Sequence, residues 1–180
     1  MNAVQALTTL IKSNVIIPAT TLKGRNCIKL VEEEGSYGLT ILGCPNDVIA
    51  IKCDKFPEPN SFFIGKNGEC KRADRVIISS ERECIIVIEM KKVNKHASNS
   101  DVIDQLKGAR CVLDYCNFVI YRFLGVRNVF SNYKERYFKS VQKGSQKRPF
   151  ILSSNPYINN MPDRFDKIKD KTIEFCKLIK

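Results

Sequence analysis

Apolar and polar positions recur along this chain with two different periods, and the change of period predicts its elements. Residues 2–12 carry apolar side chains at helical spacing, which predicts a helix. The apolar segments that follow are short and bounded by turn residues, so they predict strands. These strands are a hairpin over residues 26–43, DVIAIKC (47–53), KRADRVIIS (71–79) and CIIVIEMKK (84–92).

The helical period returns after residue 98. Ser98, followed three residues later by Asp101, is a capping pattern that starts a predicted helix over residues 99–115. The apolar stripe of that helix contains Val102, Ile103, Leu106, Ala109 and Leu113. Residues 117–125, NFVIYRFLG, are almost continuously apolar, which predicts a strand covered on both faces.

The last third of the chain is more polar. Residues 131–160 are predicted to form basic loops, and residues 163–180 an amphipathic helix. The resulting core order of helix, three strands, helix and strand predicts an α/β fold with a mixed sheet flanked by helices. With 180 residues we expect one domain, with its core over residues 2–125 and a basic region and C-terminal helix over 126–180.

Composition is that of a soluble globular protein, with 43% hydrophobic and 27% charged residues. No apolar run approaches the roughly 18 residues of a membrane span. The N-terminus has no basic segment before its apolar part, so a signal peptide is not predicted. We therefore expect an intracellular, cytoplasmic protein that does not bind membranes.

The eight cysteines contain no CxxC pair, and the chain has one histidine, His96. Their spacings match no common zinc pattern, and several lie within apolar segments, where a free thiol behaves as a small hydrophobic group. Scattered reduced cysteines are the expected arrangement.

The net charge of +11 favours a polyanionic partner, although it could also serve solubility alone. Residues 122–148 hold eight basic residues and one acid, with aromatic residues between them. Such a segment is typical of nucleic-acid contacts, or of a simple solvated face. The residues expected to contact nucleic acid are Lys134, Arg136, Lys139, Lys143, Lys147 and Arg148.

Candidate chemistry lies at the end of the strand CIIVIEMKK. Side chains alternate along a strand, so Glu89 and Lys91 share a face. The preceding strand is the expected antiparallel neighbour, which brings Asp74 to their level. An ordinary surface network, in which the two acids pair with Lys91 or with Arg72 and Arg75, is one interpretation. The other is a metal site, because two adjacent carboxylates repel each other unless a cation lies between them, and Mg²⁺ prefers oxygen ligands.

ADRVII followed by CIIVIEMK resembles the PD-(D/E)XK nuclease superfamily, in which an Asp on one strand precedes Glu-x-Lys on the next. The predicted order of elements is similar to the core of that restriction-endonuclease-like fold. The resemblance implies a metal-dependent nuclease that hydrolyses phosphodiester bonds, with DNA favoured. It implies that Asp74 and Glu89 bind Mg²⁺, for which Mn²⁺ would substitute, and that Lys91 orients or activates the attacking water.

Gln105 is also implied as a catalytic residue, because some members carry a glutamine on the helix after this motif; a helix-flank residue without a role is the alternative. The chain departs from the family pattern at Ala73, where a proline is common. Residues 2–12 contain no acid, although many members supply one from the first helix. Residues 32–34 are acidic but better match an exposed hairpin end, so the site would hold one ion or take an acid from elsewhere.

Two other functions stay open at this level. One is a nuclease-fold module that binds nucleic acid or regulates a partner without cutting. The other is a partner-binding domain with a coincidental motif. The chain could act as a homodimer or as a subunit of a larger complex.

Overall fold

The computed structural model describes residues 1–32, 37–92, 98–142 and 160–180, and shows a mixed α/β protein in this part of the chain, as the pattern predicts. The helices are α1 (Ala3–Leu10), α2 (Asn99–Leu124) and α3 (Phe175–Leu178). The strands are β1 (Ile16–Ile17), β2 (Thr20–Leu22), β3 (Arg25–Val31), β4 (Gly38–Leu42), β5 (Ile49–Lys52), β6 (Arg75–Ser79), β7 (Cys84–Lys92), β8 (Lys134–Gln142), β9 (Asp166–Ile168) and β10 (Thr172–Glu174).

The strands form two mixed sheets. The larger has the order β1-β5-β6-β7-β8-β9, and the smaller has the order β10-β4-β3-β2. In the larger sheet the β1–β5, β5–β6 and β6–β7 pairs are antiparallel, while β8 runs parallel to β7 and β9 parallel to β8. The parallel pair requires a crossover, and α2 lies in the connection between β7 and β8.

Each face of the six-stranded sheet is covered differently. Helices α1 and α2 pack against one face, where Val76, Ile85 and Val87 are buried. The other face packs against the four-stranded sheet and α3. Helices therefore cover one face of the larger sheet, while most of its second face is covered by strands.

The first half of the chain follows its predicted elements. Helix α1 begins with a reciprocal cap, in which Asn2 accepts from the Gln5 N–H and the Gln5 side chain accepts from the Asn2 N–H. The predicted hairpin is the β3–β4 pair, and strands β5 and β7 lie where the pattern places them. Strand β6 begins at Arg75, so Asp74 precedes it.

The predicted strand over residues 117–125 is wrong, because α2 continues to Leu124 and ends at Gly125. Gly125 has φ +70°, the left-handed conformation that a glycine adopts readily at a helix end. Of the apolar residues in this segment, Ile120 is fully buried, whereas Phe118 and Phe123 are exposed. A continuous apolar run was therefore not a sign of burial on two sides.

Two predictions in the last third are also corrected. The loop region contains β8, whose buried centre is Arg136, Tyr137 and Phe138; residues 143–159 lie outside the described part of the chain. The predicted helix over residues 163–180 is instead β9, β10 and the short α3. Ile168 pairs with Ser140 in one sheet and Ile173 with Ile41 in the other, so tertiary pairing overrides a helical pattern here.

Candidate active site

The ends of β6 and β7 bring Asp74 and Glu89 together. Arg75 pairs with Ile88 in the antiparallel ladder, so the next residues, Asp74 and Glu89, stand opposite each other. Opposed residues point to the same face of a sheet. For this pair it is the face covered by α1 and α2.

The backbone holds Asp74 in place although it lies outside the strand. Its Oδ2 accepts a hydrogen bond from the Met90 N–H at 2.6 Å. Its carbonyl oxygen accepts from the Cys53 N–H at 2.9 Å. Asp74 is thus tied to β7 on one side and to the end of β5 on the other.

Glu89 is fully buried, and Lys91 is its closest ionic partner. The Lys91 ammonium contacts Glu89 Oε1, and the lysine side chain is 18% exposed against 1% for the glutamate. Glu89 Oε2 is buried and has no hydrogen-bond partner in the described part of the chain. The site therefore has a buried carboxylate in contact with the ammonium group of a lysine whose side chain is partly exposed.

Burial raises the pKa of Glu89, and the negative charge of Asp74 raises it further. The Lys91 ammonium acts in the opposite direction but does not cancel these effects. Burial also raises the pKa of Asp74, against the Met90 N–H and the charges of Arg75 and Lys91, which lower it. Without a cation between them, the two carboxyl groups resist being ionised together.

The two carboxyl groups offer oxygen atoms, the ligand type that a magnesium ion prefers. Within the described ranges, no three side chains among His, Cys, Asp and Glu come close enough together to hold a metal. Mg²⁺ commonly binds one or two carboxylates and completes its shell with waters and substrate phosphates. Asp74 and Glu89 supply two adjacent carboxyl groups, and one of them has a buried oxygen without a hydrogen-bond partner in the described part of the chain. This matches a magnesium site that needs only one or two carboxylates from the protein.

The arginines next to the motif do not neutralise the carboxylate pair by direct contact. Arg75 is buried and donates to the Asp54 carboxylate and to the main-chain carbonyl of Asp74, at 2.9 and 2.8 Å. Arg72 donates to the carbonyl of Asp54 and lies 3.5 Å from the Glu58 carboxylate. Among the described residues these arginines form no ion pair with Asp74 or Glu89, whereas the ion pair between Glu89 and Lys91 that the ordinary network also offered is present.

Asp54 is an acid that the sequence reasoning missed. It follows β5 directly, at the same edge of the sheet as Asp74, and its charge raises the pKa of Asp74. Its Oδ1 is held by Arg75. The signal was present in the sequence, because a carboxylate directly after an apolar strand falls at the level where the antiparallel neighbour begins.

Gln105 lies apart from the carboxylate pair. It lines a polar cavity of about 380 Å³ with Asp54, Glu58, Cys70, Lys71 and Arg72. Its Oε1 is buried without a hydrogen-bond partner in the described part of the chain. The structure thus brings Gln105 to the neighbourhood of Asp54 but gives it no hydrogen bond to Asp74, Glu89 or Lys91.

The expected nucleic-acid contacts separate into different places. Lys134 is exposed at the start of β8, roughly 16 Å along the strand from Lys139. Arg136 is 8% exposed and donates to the carbonyl oxygens of Lys180 and Glu135, so it is a buried structural residue, and its expected role is corrected. Lys143, Lys147 and Arg148 lie outside the described residues.

Lys139 is brought next to the carboxylates by a pairing that the sequence did not predict. Strand β8 runs parallel to β7 with Lys139 opposite Glu89, and β9 runs parallel to β8 with Lys167 opposite Lys139. Lys139 was expected in a loop, and Lys167 on a helix. Because neither strand was predicted, no local pattern indicated that these lysines share a row with Asp74 and Glu89.

Comparison of the chain with protein-family models, with curated proteins and with solved structures found no match. None of the described helices has both the length and the apolar character that crossing a bilayer requires. All eight cysteines lie in the described part of the chain and are free.

Proposed function

We propose that this protein is a metal-dependent nuclease that hydrolyses phosphodiester bonds, with DNA as the favoured substrate. The observation that carries the proposal is that Asp74, which directly precedes β6, stands opposite Glu89 on β7, with the Lys91 ammonium against Glu89. Catalytic centres are typically places where burial and like charges raise carboxyl pKa values, as they do here.

The arrangement of elements supports a restriction-endonuclease-like fold as part of this proposal. Helix α1 is followed along the larger sheet by β5, β6 and β7, then by α2 and the parallel strand β8. Asp74, Glu89 and Lys91 lie at the end of the sheet where β6 begins and β7 ends. The smaller sheet, formed by β10, β4, β3 and β2, is not part of the core that the resemblance implies.

In this function Asp74 and Glu89 hold a Mg²⁺ ion, or Mn²⁺ in its place. The bound ion would supply a water of lowered pKa and a positive charge against the phosphate. The residues hold their places without it, because the Met90 N–H fixes the Asp74 carboxylate and the buried strand fixes Glu89. Asp54, held by Arg75, is a further acid that would affect the site through its charge.

Lys91 orients the attacking water and stabilises charge on the phosphate. Its ammonium contacts the buried Glu89 and its side chain is 18% exposed, so a water or phosphate that reaches the carboxylates would come within reach of its N–H donors. Substitution of Lys91 would therefore remove a donor to water or phosphate and would leave the metal ligands intact. Gln105 has no such contact, so its role would be limited to the adjoining cavity.

The proposed location is the cytoplasm. Cys111 and Cys176 are exposed free thiols, which persist in reducing compartments more readily than in oxidising ones. Whether the nuclease acts as a homodimer or within a larger complex belongs to the same proposal and can be read from its mass in solution.

The test is cleavage of plasmid DNA, single-stranded DNA and RNA by the purified protein with Mg²⁺ or Mn²⁺. We expect Asp74→Asn, Glu89→Gln and Lys91→Ala each to lower the rate by at least about 100-fold, because each removes a ligand or donor at the reacting phosphate. EDTA should stop cleavage. Glu81→Gln is the matched control, since Glu81 is an exposed acid at the other end of the hairpin.

Cleavage that is unchanged in Lys91→Ala and Asp74→Asn would exclude the proposed site. Binding of nucleic acid that persists in EDTA, with no cleavage and no Mn²⁺ binding by calorimetry, would favour the non-cutting module instead. Absence of both binding and cleavage would reject both functions.

A further inference from the structure

One row of side chains crosses four strands at the level of the carboxylate pair. Asp74 stands opposite Glu89, Glu89 pairs with Lys139, and Lys139 pairs with Lys167. Partners across neighbouring strands share a face. At about 4.8 Å between strands, the backbones of Lys139 and Lys167 lie about 5 and 10 Å from that of Glu89.

Charge is distributed unevenly along this row. The acids are on the β6 and β7 side, with Asp54 beyond them, and the lysines are on the β8 and β9 side. The Lys139 ammonium lies within electrostatic range of those of Lys167 and Lys91. Burial, followed by the charges of Lys167 and Lys91, lowers the pKa of Lys139, while the Glu89 carboxylate raises it.

The basic end of the row reaches solvent. Strand β9 forms the edge of the six-stranded sheet, and Lys167 is exposed on it. Lys139 is half-buried between Lys167 and the carboxylate pair. A chain of phosphates entering over this edge would meet Lys167 first and Lys139 next, before it reached Glu89.

We propose that Lys139 and Lys167 bind a second phosphate of the nucleic-acid substrate, adjacent to the phosphate cleaved at Asp74, Glu89 and Lys91. The inference rests on the proposed function and adds to it the path of the substrate, which crosses the sheet from β9 towards β7. A phosphate is the fitting ligand because clustered lysines gain binding free energy by replacing condensed counterions along a polyanion.

The path excludes the other basic residues of β8 from this contact. Lys134 is at the opposite end of the strand, and Arg136 is buried on the opposite face with its guanidinium bonded to carbonyl oxygens. The basic segment therefore does not act as one continuous binding surface in its described part. Its contribution at the site comes from Lys139.

The experiment measures binding of labelled duplex DNA in EDTA at a series of salt concentrations, and cleavage in Mg²⁺. The double variant Lys139→Ala/Lys167→Ala should lower the slope of log affinity against log salt by about 0.9, the value for one neutralised phosphate on duplex DNA, and each single variant should lower it by part of that amount. Between 50 and 200 mM salt, the double variant should thus lose about threefold less affinity than the wild type. In cleavage, KM should rise more than kcat falls.

Arginine variants at both positions should restore the slope, because the charge is kept. Lys29→Ala is the matched control, since Lys29 is an exposed strand lysine in the smaller sheet and should leave slope and KM unchanged. Circular dichroism of each variant shows that the fold is intact, and a variant that does not fold is replaced by the Gln substitution at the same position.

The outcomes separate the inference from the function. If the wild type cleaves DNA and the lysine variants keep its slope and KM, the second phosphate site is wrong and the nuclease stands. If the lysine variants lower the slope but no variant or wild type cleaves, the phosphate site stands and the nuclease function fails. If the wild type does not bind nucleic acid, both are rejected.

Discussion

At the residue scale, the buried carboxyl group of Glu89 lowers the stability of the fold but serves the proposed function. It is fully buried, next to a second acid, and its Oε2 has no hydrogen-bond partner in the described part of the chain. Ionising such a group costs free energy unless a cation offsets it. A chain selected for stability alone would place an apolar residue there, as it does at Val87 two positions earlier.

The metal-free protein should lose stability as the pH rises through the neutral range. The folded-state pKa of Glu89 is raised above its ordinary value of 4.5, so above that value the folded state binds the proton more strongly than the unfolded state. The free energy of unfolding then falls with rising pH until Glu89 has ionised. Glu89→Gln should remove this dependence and stabilise the metal-free protein at mildly alkaline pH by at least about 1 kcal/mol, or roughly 2–4 °C in Tm.

Thermal denaturation in EDTA across pH provides the measurement, and the exposed Glu81→Gln should reproduce the wild-type profile. Added Mn²⁺ should raise the Tm of the wild type and not that of Glu89→Gln, because a ligand that binds the folded state stabilises it. Equal pH profiles for the wild type and Glu89→Gln would show that this carboxyl does not titrate as described.

At the scale of elements, α2 positions the segment that carries Asp74. Gly108 lies where the helix crosses the residues before β6, and a Cβ at this position would be 1.7 Å from the carbonyl oxygen of Lys71. Lys71 also bonds Asp101 and Asp104 of α2 through its ammonium, at 2.9 and 3.1 Å. The close backbone contact fixes where the chain enters Ala73 and Asp74.

Gly108→Ala should destabilise the protein by about 1–3 kcal/mol or more, because backbone has to move to admit the methyl group. Alanine favours a helix over glycine by about 1 kcal/mol, so a loss of stability in Gly108→Ala would run against the intrinsic helix preference. The free energy of unfolding is measured by urea denaturation. Cys111→Ala, at an exposed position one turn further along α2, is the control and should change stability by no more than about 0.5 kcal/mol.

The substitution Gly108→Ala should also change the position of Asp74. If Gly108→Ala folds, its cleavage rate should fall even under conditions where it is fully native, since the segment from Lys71 to Asp74 is displaced. A variant with wild-type stability and wild-type cleavage would show that the helix and this segment are not in close contact.

At the scale of the whole molecule, Arg75 joins the two sheets behind the site. Its side chain is 2% exposed and donates to the carbonyl of Val31 on β3 at 3.0 Å, as well as to Asp54 and the Asp74 carbonyl. The same guanidinium lies 3.9 Å from the Glu32 carboxylate. The Arg75 guanidinium thus connects the end of the larger sheet at which β6 begins with the smaller sheet and with the backbone of Asp74.

Arg75→Ala should destabilise the protein by about 3–5 kcal/mol, because it leaves a carboxylate and carbonyl groups without their donor. Arg75→Lys should recover only part of the loss, since an ammonium cannot reproduce the planar fork that serves several acceptors. Chemical denaturation of each variant is the measurement. Arg82→Ala is the control, because Arg82 is 56% exposed and contributes little. A loss below about 1 kcal/mol for Arg75→Ala would contradict this role.

The sequence alone determined the elements that local patterns specify. Alternation and turn residues located β5 and β7, and the spacing of Glu89 and Lys91 put both on one face next to Asp74, because these properties depend on neighbours in the chain. Long-range pairing decided the rest. Residues 163–180 have a helical pattern, yet Ile168 and Ile173 join different sheets, and the burial that this provides exceeds a weak local preference.

The composition of the site divides in the same way. Asp74, Glu89 and Lys91 follow from one hairpin, whose register is set locally. Lys139 and Lys167 reach the carboxylates through parallel strands that follow a 26-residue helix, and no local signal encodes which residues of a parallel strand face one another. The tertiary structure therefore decided that the two carboxylates have lysines beside them, because the parallel register of β8 and β9 depends on the packing of both faces of the sheet.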